Sequence, residues 1–133
     1  MRKNSSDFKT SFISEAGTFG INKDYFAYME LDDYACYVEA NGIDSDDDGN
    51  SAEIAANNIF SHFSDKPSMS RRKLKRILVD THRILNRESK NVRLKVSLIV
   101  IITDYSRYIW GGSGNVRLYH FRNDSLYFKS KDQ

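Results

Sequence analysis

The sequence is poor in the residues that cross-link or punctuate a chain. Among 133 residues there is one cysteine, Cys36, and one proline, Pro67. A single thiol excludes any internal disulfide and predicts a reducing, cytoplasmic setting. So little proline, beside isoleucine- and tyrosine-rich runs, favours long regular elements. Long hydrophobic runs are missing too. The longest, Val96 to Ile102, is interrupted by Ser97 and falls far short of the ~20 apolar residues that span a bilayer. Met1-Arg2-Lys3 is basic, but Asn4-Ser5-Ser6-Asp7 stands where an apolar signal region would follow, so neither a signal peptide nor a membrane partner is expected.

What is present is globular. Hydrophobic content is 40% and aromatic content 13%, enough for one domain with a real core. The net charge of +2 hides an asymmetry. From Asp24 to Glu53 the chain is acidic, through Glu30, Asp32, Asp33, Glu39, Asp44, Asp46, Asp47 and Asp48. From Arg71 to Lys95 it is basic, through Arg72, Lys73, Lys75, Arg76, Arg83, Arg87, Lys90 and Arg93. Blocks of opposite sign attract each other or steer different partners, although a charge run also serves simply as a solvated helix face. Arg72, Lys75, Arg76 and Arg83 are the partner-binding candidates of the basic block. Nucleic acid is not the expected partner, because no recognised motif or aromatic platform accompanies them.

Periodicity orders the elements. Residues 1–7 read as a flexible tail and residues 8–133 as a single domain. Alternation at Phe8, Thr10, Phe12 and Ser14 predicts a first strand. Tyr25–Leu31 and Tyr34–Ala40 form a hairpin about Asp32-Asp33. Asn50, with Glu53 three positions on, is the expected N-cap of a helix whose buried stripe is Ala52, Ala55, Ala56, Ile59, Phe60 and Phe63. Asp65-Lys66-Pro67 ends it. Ser70 caps a second helix with Leu74, Ile77, Leu78, Thr81 and Leu85 inward, and most of its positive residues on the other side. Lys95–Thr103, apolar and β-branched, predicts a central strand buried on both faces. Turns are expected at Asp104-Tyr105-Ser106, Gly111–Gly114 and Arg122-Asn123-Asp124, with strands over Arg107–Trp110, Val116–Phe121 and Leu126–Phe128. Strands, two helices, then strands means α+β, with helices laid on antiparallel sheet.

Three stretches carry a further signal: Asn22-Lys23-Asp24, then Val38-Glu39-Ala40-Asn41-Gly42-Ile43-Asp44, then Gly114-Asn115-Val116-Arg117-Leu118-Tyr119. In this order and spacing they resemble the first half of a PPM-type (metal-dependent, type 2C) serine/threonine protein phosphatase. That family carries Asn-x-Asp, a strand ending in Ala-Asp-Gly, and Gly-Asp-Ser-Arg before a strand with leucine and tyrosine. The resemblance runs from about Ser14 onward and covers about half of the family's domain. It implies a β-sandwich flanked by helix pairs, and a reaction in which two divalent ions activate water and clamp the phosphoryl group. Asp24 matches the aspartate of the first motif, Asn41 the carboxylate that bridges both ions, and Gly42 a glycine whose carbonyl binds metal. Asparagine is neutral and cannot bridge two cations as a carboxylate does. The family's phosphate-binding arginine corresponds to Phe19, and the aspartate of the third motif to Asn115. The resemblance therefore implies a pseudophosphatase with no catalytic residue, which works as a protein-binding or regulatory module. The expected partner is another protein or a second copy that covers the apolar strand faces. No cofactor is expected. Magnesium or manganese belongs to the alternative in which a missing C-terminal half completes an active enzyme.

Other readings compete with this one. Asn41-Gly42 is also a type I′ turn dipeptide. Asp44-Ser45-Asp46-Asp47-Asp48-Gly49 fits the opening of an EF-hand-type loop, with Asp44, Asp46 and Asp48 as calcium ligands. Position twelve of that loop is Ala55 rather than glutamate, and no helix precedes it, so only weak calcium binding is expected. His62, His82 and His120 share no ligand spacing. Ser113 lacks the strand-to-helix elbow of a nucleophile. Cys36, mid-strand, reads as buried and inert.

Overall fold

The computed structural model describes residues 9–11, 24–42, 50–88, 96–114 and 118–130. Strand β1 (Asp24–Glu30) and strand β2 (Ala35–Gly42) form the expected hairpin, in register from Asp24↔Asn41 to Glu30↔Ala35. The Leu31 amide donates to the Tyr34 carbonyl at 2.7 Å across the Asp32-Asp33 turn. Helices α1 (Ser51–Asp65) and α2 (Arg71–Glu88) follow, then β3 (Val96–Thr103), β4 (Tyr108–Ser113), β5 (Tyr119–Arg122) and β6 (Ser125–Lys129). The first four strands make one antiparallel sheet in the order β1-β2-β3-β4, and β5 and β6 pair separately. The class is α+β.

Side-chain alternation divides the sheet into two faces. Cys36, Val38 and Ala40 of β2, Leu98, Val100 and Ile102 of β3, and Ile109 of β4 face the helices and are buried. Against them α1 sets Ala52, Ala55, Ala56, Ile59 and Phe63. Five of the six residues in its predicted stripe are thereby buried, and the sixth, Phe60, is half-buried. Helix α1 packs on β1, β2 and β3, and α2 packs on β4 and α1. Small residues let α1 approach the sheet closely, while Phe63 and Ile59, each about 1% exposed, supply ~1.5–3 kcal/mol apiece through burial. Strand β3 is buried on both faces except at Ile101, as its composition predicts.

The caps of the two helices differ. Ser70 Oγ accepts from the Lys73 amide at 3.2 Å, a true N-cap. Asn50 occupies the N-cap position of α1 and its carbonyl accepts from Ile54 at 3.0 Å, but its side chain makes no capping bond. The expected capping box is therefore corrected to a position without the side-chain contact.

Two turn expectations also need correction. Gly111, Gly112 and Ser113 are paired residues of β4, opposite Val100, Ile99 and Leu98. A bare Gly111 suits this strand because it passes under α2, and a bare Gly112 because the β3 backbone crowds it. A Cβ on Gly111 would meet Leu78 Cδ1 at 2.9 Å, and one on Gly112 would meet the Leu98 carbonyl oxygen at 2.5 Å. Arg107, expected in that strand, lies in the turn before it, where its amide donates to Asp104 Oδ1 at 2.7 Å. The last turn holds. Asn123 (φ 52°) and Asp124 (φ 65°) both have positive φ, as a type I′ hairpin requires.

Tyr105, in the β3–β4 turn, has φ 72°, strained for an aromatic residue. Its hydroxyl donates to the Leu31 carbonyl at 2.5 Å and also lies 3.3 Å from that of Tyr34. One side chain thus ties the β3–β4 turn to the β1–β2 turn. The predicted strand over Phe8–Ser14 falls largely outside the described residues.

Candidate functional site

The opposite end of the sheet from Tyr105 gathers the motif residues. Asp24, first in β1, stands directly across from Asn41, next to last in β2. Asn41 in turn stands across from Ser97 of β3, and Gly42 across from Val96. Gly114 leaves β4 beside them with φ +84°, where a Cβ would lie 2.8 Å from the Ser97 Cβ. Positions 24, 41 and 97, far apart in the chain, thus share one rim through strand register, and position 114 joins them through its close approach to Ser97. The turn reading of Asn41-Gly42 is overturned, because both residues belong to β2, with Asn41 paired to β1 and β3 and Gly42 paired to Val96 of β3.

Within this rim Asn41 is exposed on the sheet face away from the helices, and Gly42 is buried. Ser97 is buried at 3% exposure on the same face as Asn41. Farther along that face come Glu39, exposed, and Tyr37, whose hydroxyl donates to Glu30 Oε1 at 3.3 Å. Tyr37 stacks on Tyr28 at 5.5 Å, so the face turns from polar at the rim to aromatic at its centre. Burial is the main cause that pushes the Tyr37 hydroxyl above the ordinary tyrosine value.

The donor set at the rim is a neutral amide, a hydroxyl and one carboxylate position. Among the described residues no group of three or more histidine, cysteine, aspartate or glutamate side chains converges on a point. A bridged pair of divalent ions needs carboxylate oxygens that carry charge to both cations. Asn41 lacks that charge. Asn41 therefore does not supply the bridging carboxylate that such a pair needs.

Several predicted positions fall elsewhere. Phe19, Asn22, Lys23, Asn115–Arg117 and the calcium candidates Asp44, Asp46 and Asp48 lie outside the described residues. Arg72, Lys75, Arg76 and Arg83 are exposed along α2, away from the rim. Cys36 is fully buried, and burial pushes its thiol up to about 12, which keeps it protonated and unreactive.

Sequence reasoning missed a polar cluster between the helices. His62 Nε2 lies 2.8 Å from Asp80 Oδ2, and Asn58 Nδ2 donates to Asp80 Oδ2 at 3.3 Å and to Thr81 Oγ1 at 2.9 Å. Thr81, fully buried, donates to the Ile77 carbonyl at 2.8 Å. The hydrogen bonds from His62 and Asn58 hold the Asp80 carboxyl below its ordinary range. No single stretch of sequence signals this cluster, whose partners sit eighteen or more residues apart. His82 and His120 make their own contacts between elements, to Ser113 at 3.2 Å and Tyr108 at 3.0 Å.

No family model, no curated protein and no solved structure matches the chain. No helix among the described residues is long and apolar enough to cross a membrane.

Proposed function

We propose that the chain is a catalytically degenerate PPM-type phosphatase-like module that acts by binding a protein partner. The observation that carries this reading is the shared rim. Asp24 and Asn41 pair directly, and Gly114 closes on Ser97 beside them. The matched positions of the three stretches that resemble the phosphatase family, Asp24, Asn41-Gly42 and Gly114, thus lie at one end of one sheet, an arrangement compatible with a single site.

The chemistry of the rim argues for binding rather than turnover. Two-metal phosphoryl transfer depends on cations held by charged oxygens and on a cation that grips the phosphate. Asn41 and Asn115 carry no charge, and Phe19 stands where the family has arginine. A rim with a single carboxylate position beside an aromatic sheet face suits contact with another polypeptide better than the activation of water by two metal ions.

Calorimetric titration with manganese and calcium separates the readings. The binding-module reading expects neither ion to bind more tightly than about a millimolar dissociation constant, the range of weak calcium modules. Micromolar manganese binding that disappears in Asp24→Ala would restore the enzyme reading. Micromolar, calcium-selective binding that disappears in Asp46→Ala would instead make the chain a calcium module.

A further inference from the structure

The strongest charge feature away from the rim lies on the outer face of α2. Val79, in mid-helix, is 51% exposed. Around it, at helical spacings of seven, four, three and four residues, stand Arg72, Lys75, Arg76 and Arg83, all exposed. These spacings place them on Val79's own face of the helix. The result is one apolar side chain ringed by four cations.

An open groove of about 840 Å³ runs along this face, with Val79 and Ile77 contributing its apolar lining. His62 and Lys66, at the end of α1, form the far wall. Asp80 is the one carboxylate in the lining, and it is already engaged by His62 and Asn58. Its contact with Arg83 is long, 3.9 Å, and leaves that guanidinium 72% exposed. Among the described residues the ion pairs of this face involve Asp80 alone, so Arg72, Lys75 and Arg76 have their charge available.

We propose that this face of α2 docks an acidic polypeptide segment that places an apolar side chain on Val79 and carboxylates against Arg72, Arg76 and Arg83. The proposal rests on the binding-module reading and names the chemistry of its partner. Spacing fits a peptide. Along the axis Arg72 and Arg76 are about 6 Å apart, and Arg76 and Arg83 about 10 Å. Extended chain rises about 3.3 Å per residue and alternates its side chains, so acidic side chains two and then four residues apart share one face and come within reach of the three long arginine side chains. The apolar centre selects against nucleic acid. Sequence-tolerant strand binding relies on aromatic rings for base stacking, and no aromatic ring other than the imidazole of His62 lines the groove.

The test is fluorescence anisotropy of a labelled peptide rich in aspartate and glutamate with a central leucine, added to the full chain at low and moderate salt. The peptide binds, and Arg76→Glu with Arg83→Glu weakens it by about tenfold or more, since each reversal both removes an attraction and adds a repulsion. Val79→Ser weakens it about fivefold, through lost apolar contact. All these positions are exposed, so unchanged melting curves certify the variants as folded. Three results overturn the proposal. The peptide fails to bind. Val79→Ser and removal of the leucine both leave affinity unchanged, which reduces the effect to unspecific charge attraction. A single-stranded oligonucleotide binds as tightly and is equally insensitive to Val79→Ser, which makes nucleic acid the ligand. Metal-dependent turnover, by contrast, refutes the binding-module reading and leaves these binding results intact.

Discussion

Alanine in place of Gly112 is the sharpest perturbation of the glycine-rich segment, because its neighbours are backbone. The added methyl carbon would lie 2.5 Å from the Leu98 carbonyl oxygen and 3.2 Å from the Ile99 Cα. Neither atom can retreat without opening the β3–β4 ladder, in which Gly112 faces Ile99 and Ser113 faces Leu98. Overpacking of this kind costs ~1–3 kcal/mol. Gly111→Ala is the internal control. There the clash is with Leu78 Cδ1 at 2.9 Å, the tip of a half-buried side chain that has room to rotate. Its cost is offset by lower chain entropy in the unfolded state, a gain of ~0.4–1 kcal/mol for Gly→Ala where φ permits. In urea denaturation followed by circular dichroism, Gly112→Ala lowers the midpoint by roughly 1 M and Gly111→Ala moves it little. Equal effects of the two substitutions would refute the reasoning. They would return Gly111–Ser113 to the turn that their composition predicts.

Tyr105→Phe removes the hydroxyl that joins the two sheet turns and leaves the Leu31 and Tyr34 carbonyls without it. We expect a loss of ~1–2 kcal/mol in the same denaturation assay, with no change in secondary structure. Cys36, its thiol pushed up to about 12 by burial, stays unmodified by a thiol reagent at pH 8 in the native protein and reacts fully in denaturant. Asp80 has its carboxyl pKa lowered by His62 and Asn58, so its contribution is present above the ordinary carboxylate range and is lost as pH falls through its folded value. Asp80→Asn therefore lowers stability near neutrality and converges on the parent at strongly acid pH. Parallel stability curves across that range would contradict the assignment.

The helices and the central strand were legible because their signals are local. The Ala52–Phe63 stripe repeats at helical spacing, and Ser70 sits immediately before an apolar period that its own hydroxyl caps. Asn123-Asp124 predicts a turn because both residues tolerate the positive φ it needs. Strand β4 was misjudged for a nonlocal reason. Glycine has low strand preference, and only the passage of α2 over Gly111 explains why side chains are excluded there. The rim has the same character. Asp24 and Asn41 stood out through the motifs that contain them, but their direct pairing is a property of register, which no short stretch encodes. Ser97 reads in sequence as a mere interruption of an apolar run, and its place opposite Asn41 emerges only with the sheet assembled. The His62–Asp80 contact spans two helices and depends on how they pack.

The central claim is that a phosphatase-like rim has lost its chemistry and kept its frame. Hydrolysis of a phosphoserine peptide in millimolar manganese, followed by release of inorganic phosphate, tests it most directly. The account predicts no turnover above the protein-free control, and none in Asn41→Asp, because Asn115 and Phe19 still lack the charge the reaction needs. Manganese-dependent phosphate release by the unaltered chain, abolished by Asp24→Ala in a variant that melts normally, would contradict it.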